Sequence, residues 1–488
     1  MPQSPNPDQP FARAGMPRTT FALLAAFAAF AFTIIVPTAL RDGDTGWHLA
    51  TGAWIVEHAR VPTTDPFSFT AAGRLWVAHE WLSELAMYAS YRAAGWSSLI
   101  VLIGTAMATL FALVAHEIRR WMSTRASVVA LLLLITGLLP SLLARPHILA
   151  LPLLAGWLIA LLHARERGSP PPFRTALLML IWANAHGSFV FGLALVGVFA
   201  FEALIAAAPS DRRRVVLGWG AFGIVCAIAA IATPAGFDGL VFPFYVDRLK
   251  LLAHLNEWQP ADFATFSGFE AILLATLAFL LLRPVRIPPV RLFLLLGVLH
   301  LTLQHTRQEI VLVVVGILVL AEPLGKAWTK TLRSTKPRPQ RESVSIGILI
   351  LLLAGGLAIY RIAVPVVRED SAGIPATAIR HLPPELRGQR VFNDYGFGGS
   401  LILAGIRPYI DGRSDMYGDP FTLDYFRIAA GDVGRWQAAN AKWHFGWTIL
   451  PPRSRLVSLL DHDPAWRRIY ADDTAVIHQA VPAHRASR

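Results

Sequence analysis

Eleven long, apolar and nearly uncharged runs decide what this chain can fold into: 20–40, 96–116, 126–143, 148–163, 173–185, 188–208, 215–233, 269–282, 290–304, 308–323 and 344–364. A helix crossing the ~30 Å hydrocarbon core needs about 20 apolar residues, fewer where neighbours shelter it. The runs predict a polytopic α-helical membrane protein with about eleven spans. The first run is longer than the core of a signal peptide and lacks a small-residue cleavage site, so it reads as a retained span. One unbroken helix over 173–208 would be about 54 Å long, too long for one crossing. The break at Asn184-Ala185-His186-Gly187 therefore predicts a tight hairpin, and Arg145-Pro146-His147 does the same inside 126–163.

Charge placement tests this count. Only 16% of the chain is charged and mean hydropathy is +0.48, yet the net charge is +12. On a soluble protein that excess would suggest nucleic acid; here it reports orientation. With the N-terminus in the cytoplasm, the five connections 116–125, 163–174, 209–214, 283–291 and 325–343 carry eighteen Lys and Arg against four acids. The opposite loops 41–95 and 234–268 are each −2. Positive charge thus falls on one side at every turn, and residues 365–488, after an odd number of spans, fall outside the cytoplasm. Nothing in this pattern calls for a nucleic-acid partner. The single cysteine, Cys226, excludes an internal disulfide framework and a Cys-based zinc site.

The organisation follows: a transmembrane domain over 1–364, with a first external loop at 41–95 and a Lys/Arg/Pro-rich cytoplasmic linker at 325–343, then an extracytoplasmic domain over 365–488. In the loop, Trp47, Thr51, Trp54 and His58 recur at helical spacing, predicting an amphipathic surface helix over 45–59 and a second over 79–94. In the tail, short strands are expected at 390–393, 409–411, 447–450 and 468–471, with helices at 419–430, 433–442 and 454–461. That alternation reads as a small α/β domain.

Chemistry is most readily placed at Arg41-Asp42-Gly43-Asp44-Thr45-Gly46-Trp47-His48, just beyond the first span. Two carboxylates beside a flexible Gly can share a divalent cation (Mg or Mn) or hold hydroxyls and phosphate, and an Asp near hydrocarbon can serve as a general base. The same residues could instead be interfacial charges closing a helix. His79, Glu80 and Glu84 form a second group, with two acids four apart that need a cation or hydroxyl between them, or else a solvated face. A third group gathers at the external ends of later spans: Arg145 and His147, Asn184 and His186, Glu257, and His305, Arg307 and Glu309. Arg145 and Arg307 suit a lipid phosphate or pyrophosphate. In the tail, Asp394, Asp411, Arg413 and Asp415 could bind sugar hydroxyls or form capped turns. No Walker loop, HExxH, Gly-x-Ser-x-Gly or dinucleotide fingerprint is present.

These residues resemble a known group. The run Asp42-Gly43-Asp44-Thr45-Gly46-Trp47-His48-Leu49-Ala50-Thr51-Gly52 is similar to the first-loop motif of uncharacterised bacterial members of the GT-C superfamily of integral-membrane glycosyltransferases. Thr64-Asp65-Pro66-Phe67-Ser68-Phe69-Thr70, His79-Glu80-Trp81-Leu82, Asn393-Asp394-Tyr395 and Asp411-Gly412-Arg413-Ser414-Asp415-Met416-Tyr417-Gly418-Asp419 match the same set. The resemblance spans nearly the whole chain. It implies transfer of a sugar from a polyprenyl-phosphate carrier to a glycan, lipid or protein acceptor on the external face of a bacterial inner membrane. The acid contacting the acceptor would be Asp44 or Asp42, with His48, His79, Glu80, Glu84, Arg145, His147, His186 and Arg307 around donor and acceptor. Some branches bind a divalent metal through the loop acids and others do not. This sequence departs from many relatives in having Gly46 where they carry an aromatic, which is expected to loosen the helix start. The rival readings are a transporter or flippase for a lipid-linked or polar solute, and a non-catalytic relative in envelope assembly. Transporters usually show pseudo-repeats and midplane charges, and neither is visible here.

Overall fold

The computed structural model describes residues 16–329 and 344–481, so most of the basic linker, from 330 to 343, lies outside the described residues. The first helices are α1 (Arg18–Ile35), α2 (Thr45–His58), α3 (Trp81–Ile118), α4 (Thr124–Leu138), α5 (Pro146–Arg167), α6 (Ala176–Ala185) and α7 (Phe189–Ala206). Then come α8 (Arg212–Ile231), α9 (Gly236–Val246), α10 (Gly268–Leu282), α11 (Pro289–Gln304), α12 (Glu309–Thr329) and α13 (Val344–Ala363).

Eight helical segments among the described residues are long and apolar enough to cross a membrane: 18–35, 81–118, 124–141, 146–167, 189–206, 212–231, 306–328 and 344–363. Phe173–Ala185, Gly268–Leu282 and Pro289–Gln304 are helical and apolar but shorter. Every one of the eleven runs is thus a helix, but only eight have the length of a span. Both expected hairpin breaks are observed, between α6 and α7 and between α4 and α5.

The core of the bundle is the packing of α1 against α3, α3 against α5, and α6 and α7 against α8, with Leu99, Ile100, Ile103, Leu110, Leu134 and Leu154 buried among them. One end of this bundle is rich in ion pairs between basic connections: Arg120 reaches Glu117 and Glu166 at 2.6 Å each, and Arg291 reaches Glu202 at 2.9 Å. The other end carries the loop 41–95 and the tail.

The loop helices differ in one respect from the expectation of helices lying on a membrane surface. α3 breaks at Ala94-Gly95, where Gly95 has φ 61°, so that 81–93 is an arm and 96–118 the span. α2 is wedged between that arm and the tail, and its Trp47, His48, Leu49 and Thr51 are buried. The reason is Gly46: a Cβ there would stand 2.2 Å from the carbonyl oxygen of Gly399. The missing aromatic therefore does not loosen the helix start; it admits the tail.

The tail comprises α14 (Ala376–Arg380), β1 (Val391–Asn393), α15 (Gly398–Leu403), α16 (Ser414–Ala429), α17 (Val433–Trp443), β2 (Trp447–Leu450), α18 (Arg455–Asp461), β3 (Trp466–Ala471) and β4 (Val476–Ala480). The sheet runs β1-β2-β4-β3, with β1 and β2 parallel and the other pairs antiparallel. A parallel pair needs a crossover, and α15 to α17 supply it. Val391, Trp447 and Ile449 pack to one face and Phe392 and Leu450 to the other. The second of these clusters also takes in Trp47, Ala71 and Trp76, so loop and tail share one core.

The sheet departs from expectation twice: Val476–Ala480 is a strand that the pattern did not suggest, and 409–411 forms no strand. The backbone there bonds elsewhere: Tyr409 N–H to Asn393 Oδ1 (2.8 Å), Asn393 Nδ2 to the Ile410 carbonyl (2.8 Å) and Thr70 Oγ1 to the Tyr409 carbonyl (2.6 Å).

Candidate functional site

The D-x-D segment is held by the α4–α5 break. Ala144 N–H donates to the Ala39 carbonyl at 2.8 Å, and Thr45 Oγ1 donates to the Ala144 carbonyl at 3.1 Å. Arg145 precedes Pro146 and is extended (φ −128°, ψ 161°), as the proline ring requires of its predecessor. Its side chain consequently turns back onto the carboxylates. Arg145 Nε and Nη2 grip both oxygens of Asp42 at 2.6 Å each. Nη2 also lies 2.9 Å from Asp44 Oδ2, and Nη1 donates to Glu257 Oε2 at 3.2 Å. Three carboxylates surround one guanidinium.

Two further arginines complete this end. Arg307 Nη1 donates to Glu257 Oε1 at 3.4 Å and its guanidinium lies 4.4 Å from the Trp258 ring centroid. Arg368, which no sequence signal marked, donates to the main-chain carbonyls of Leu40 and Asp42.

The two acids of the motif are not equivalent. Burial pushes Asp42 up, but the paired Arg145 guanidinium outweighs it and holds this carboxyl below its usual range. Asp44 is pushed up to about 7, chiefly by burial, with Arg145 opposing and the neighbouring Asp42 and Glu257 adding to the rise. Its other oxygen, Oδ1, faces Gly412 of the tail, where a Cβ would stand 2.2 Å away. Glycine at 412 leaves that oxygen room.

One turn along α2, His48 Nδ1 sits 3.1 Å from Glu84 Oε1 and 3.9 Å from Glu80 Oε2. Glu80 Oε1 is approached by His186 Nε2 at 3.3 Å and by His79 Nε2 at 3.6 Å. Burial raises Glu80 to about 7 and holds His48 and His186 well below the usual imidazole range. These imidazoles are therefore neutral at neutral pH. The rings of His147 and His186 are 6.4 Å apart, and His147 Nε2 is occupied by the Ser141 carbonyl at 2.8 Å.

Of the residues singled out from sequence, Asp42, Asp44, His48, His79, Glu80, Glu84, Arg145, His147, His186 and Arg307 gather at this end of the bundle. Asn184 is a staple there: it accepts from Trp81 Nε1 at 2.8 Å and donates to the Ala232 carbonyl at 3.1 Å.

The tail residues divide. Asp411 and Arg413 are sealed in. Arg413 bonds Asp411 at 2.8 and 2.7 Å and Asp65 of the first loop at 2.8 Å, with Tyr417 Oη completing Asp411 at 2.7 Å. All three charged side chains are 0% exposed, so of the two readings of this motif the closed turn is observed. Asp394 accepts from Gly396 N–H at 2.9 Å and caps the turn after β1. Asp415, half-buried and raised by burial to about 6, faces His79 from the tail.

Two clusters among the described residues could hold a metal ion: His48, Glu80 and Glu84, and Glu117, His163 and Glu166. In the first, Glu84 Oε2 is buried without a hydrogen-bond partner, which fits a ligand atom. The second is already neutralised by Arg120. Asp42 and Asp44, the pair named from sequence as ligands if any metal is bound, share Arg145.

Solved structures show the same architecture. The archaeal oligosaccharyltransferase AglB from Archaeoglobus fulgidus, in complex with an inhibitory peptide and a dolichol-phosphate, superposes with a TM-score of 0.58 at 10% identity, over 88% of this chain and 69% of that one. The same enzyme tethered to an acceptor peptide containing the NVT sequon gives 0.57 at 11% identity, over 88% and 68%. Its complex with Zn and sulfate gives 0.50 at 11%, with the same coverage. At this identity the likeness establishes the fold alone: a mostly helical, multi-pass membrane architecture like that of AglB, with a small C-terminal sheet. No family model matches the sequence, and no curated protein matches it.

Proposed function

We propose that this protein is a membrane glycosyltransferase that moves a sugar from a polyprenyl-phosphate carrier to an envelope acceptor, on the external face of a bacterial inner membrane. The observation that carries the reading is the convergence of an acid with one oxygen not held by Arg145, Asp44 Oδ1, and a second arginine, Arg307, at the end of a bundle of this fold. A carrier lipid explains the placement: the polyprenyl tail stays in hydrocarbon while the sugar reaches the loop–tail boundary.

In this reading the acceptor hydroxyl gives its proton to Asp44 as its oxygen attacks the anomeric carbon. The bond from that carbon to the carrier phosphate breaks, and the phosphate leaves with the electron pair. Arg307 meets the developing charge. Arg145 has committed donors to Asp42, Asp44 and Glu257, so its part in phosphate binding is limited to what Nη1 has left. His48, Glu80 and Glu84 are the residues that would hold a divalent cation, which would supply positive charge beside the phosphate. The basic connections at the far end of the bundle support a cytoplasmic N-terminus and an external tail.

The test is transfer of lipid-linked sugar, read by mass spectrometry of envelope glycans, in Asp44→Asn and Asp42→Asn chains at equal membrane abundance. Loss of general-base catalysis is expected to cost about 100-fold or more for Asp44→Asn. Unchanged transfer in both variants would refute the assignment.

A further inference from the structure

We infer that Arg145 is a built-in cation, standing where the D-x-D carboxylates would otherwise draw a divalent metal ion, so that the acid at Asp44 is organised without one. The inference rests on the glycosyltransferase reading above and deepens it. Its observations are geometric. Both oxygens of Asp42 are held by Arg145 at 2.6 Å. Asp44 Oδ2 lies 2.9 Å from Nη2 of the same guanidinium and Glu257 Oε2 lies 3.2 Å from Nη1. These are three carboxylates from two separate segments, the D-x-D pair and the loop carrying Glu257, and all point one oxygen or more at one positive centre. Three hydrogen bonds and one close ion-pair contact of a planar group divide among them, which fixes their orientation as a metal's coordination geometry would.

A divalent ion among these oxygens would sit against a fixed positive charge that already lies 2.6–3.2 Å from four of them. The extended backbone before Pro146 leaves Arg145 little freedom to withdraw. Arg368 adds to the positive charge by donating to the Asp42 carbonyl. Arg145 is thus a positioning residue for Asp44: it fixes one carboxylate oxygen and leaves the other, Oδ1, toward Gly412.

The test uses the full chain in nanodiscs with Mn2+ as the probe, read by electron paramagnetic resonance, in a Glu84→Gln background that removes the His48–Glu80–Glu84 cluster as a competing ligand set. With Arg145 present, adding Asp44→Asn is expected to leave Mn2+ binding unchanged. Arg145→Gln is expected to tighten Mn2+ binding at least tenfold, and Asp44→Asn is expected to abolish that gain. In the same Glu84→Gln background, chelation of divalent ions is expected to leave the remaining Asp44-dependent transfer unchanged, whereas adding Arg145→Gln is expected to make transfer need added Mn2+, a rescue that a purely structural role would not show. Mn2+ that depends on Asp44 while Arg145 is present overturns the inference, and so does a folded Arg145→Gln chain that gains none. Because the binding readout needs no turnover, it stands or falls apart from the glycosyltransferase reading.

Discussion

Replacing Arg413 by Met separates the two meanings that Asp411-Gly412-Arg413-Ser414-Asp415 had in the sequence. The guanidinium makes three hydrogen bonds of 2.7–2.8 Å to Asp411 and Asp65. It also lies between the rings of Trp76 and Phe67, at 4.8 and 5.1 Å from their centroids. Removing the cation leaves two fully buried carboxylates. Asp65 keeps the N–H groups of Phe67 and Ser68 and the Ser68 hydroxyl, while Asp411 keeps only the Arg413 main-chain N–H and Tyr417 Oη. Breaking one partner of a buried ion pair costs about 3–5 kcal/mol. At roughly 2–4 °C per kcal/mol for a unit of this size, the apparent melting midpoint should fall by about 6–20 °C. Scanning tryptophan fluorescence of the detergent-solubilised protein measures it. Arg413→Met combined with Asp411→Asn should recover part of the loss, because the buried carboxylate left with the fewest hydrogen bonds is then uncharged. A midpoint within about 1 °C of the parent, with transfer lost, would refute the clamp and return Arg413 to a ligand-binding role.

Transfer should show an acidic limb set by Asp44, whose carboxyl is raised to about 7: the rate rises with pH up to that value and levels above it, measured as initial rate from pH 5 to 9. The same group gives the folded state a proton that the unfolded chain releases near 3.8, so its support for folding is present at low pH and is withdrawn as pH rises from about 4 to 7; denaturation midpoints across that window should show the fall removed in Asp44→Asn. Gly46→Ala should cost about 1–3 kcal/mol and expose the tail to limited proteolysis, since its Cβ would meet a main-chain carbonyl at 2.2 Å. Gly412→Ala should instead shift only the Asp44 carboxylate, cutting transfer tenfold or more with a melting midpoint lowered by no more than about 3 °C.

Helix existence was legible because apolar run length is a local property, and all eleven runs are helical. Span number was less so: whether a helix of ten to sixteen residues crosses depends on neighbours that sheltering requires. In the tail, 447–450 was readable from its own residues, but 409–411 spends its hydrogen bonds on Asn393 and Thr70 rather than on a neighbouring strand. The candidate site was legible as a list. Asp42, Asp44, His48, His79 and Glu80 stand in the motifs themselves, and Glu257 and Arg307 at span ends. Arg368 was not, because a single arginine beyond the last span carries no pattern.

Sequence alone determined that this chain is a membrane bundle with a folded tail, since burying apolar runs and segregating positive charge follow from composition along the chain. It also marked the acids near which chemistry can occur. Tertiary structure alone decided which acid Arg145 grips on both oxygens and which on one. Asp42 and Asp44 differ by two positions, yet one is gripped on both oxygens by Arg145 while the other keeps an oxygen toward Gly412. That distinction depends on residues a hundred and several hundred positions away, and electrostatic environment is set by what is near in space.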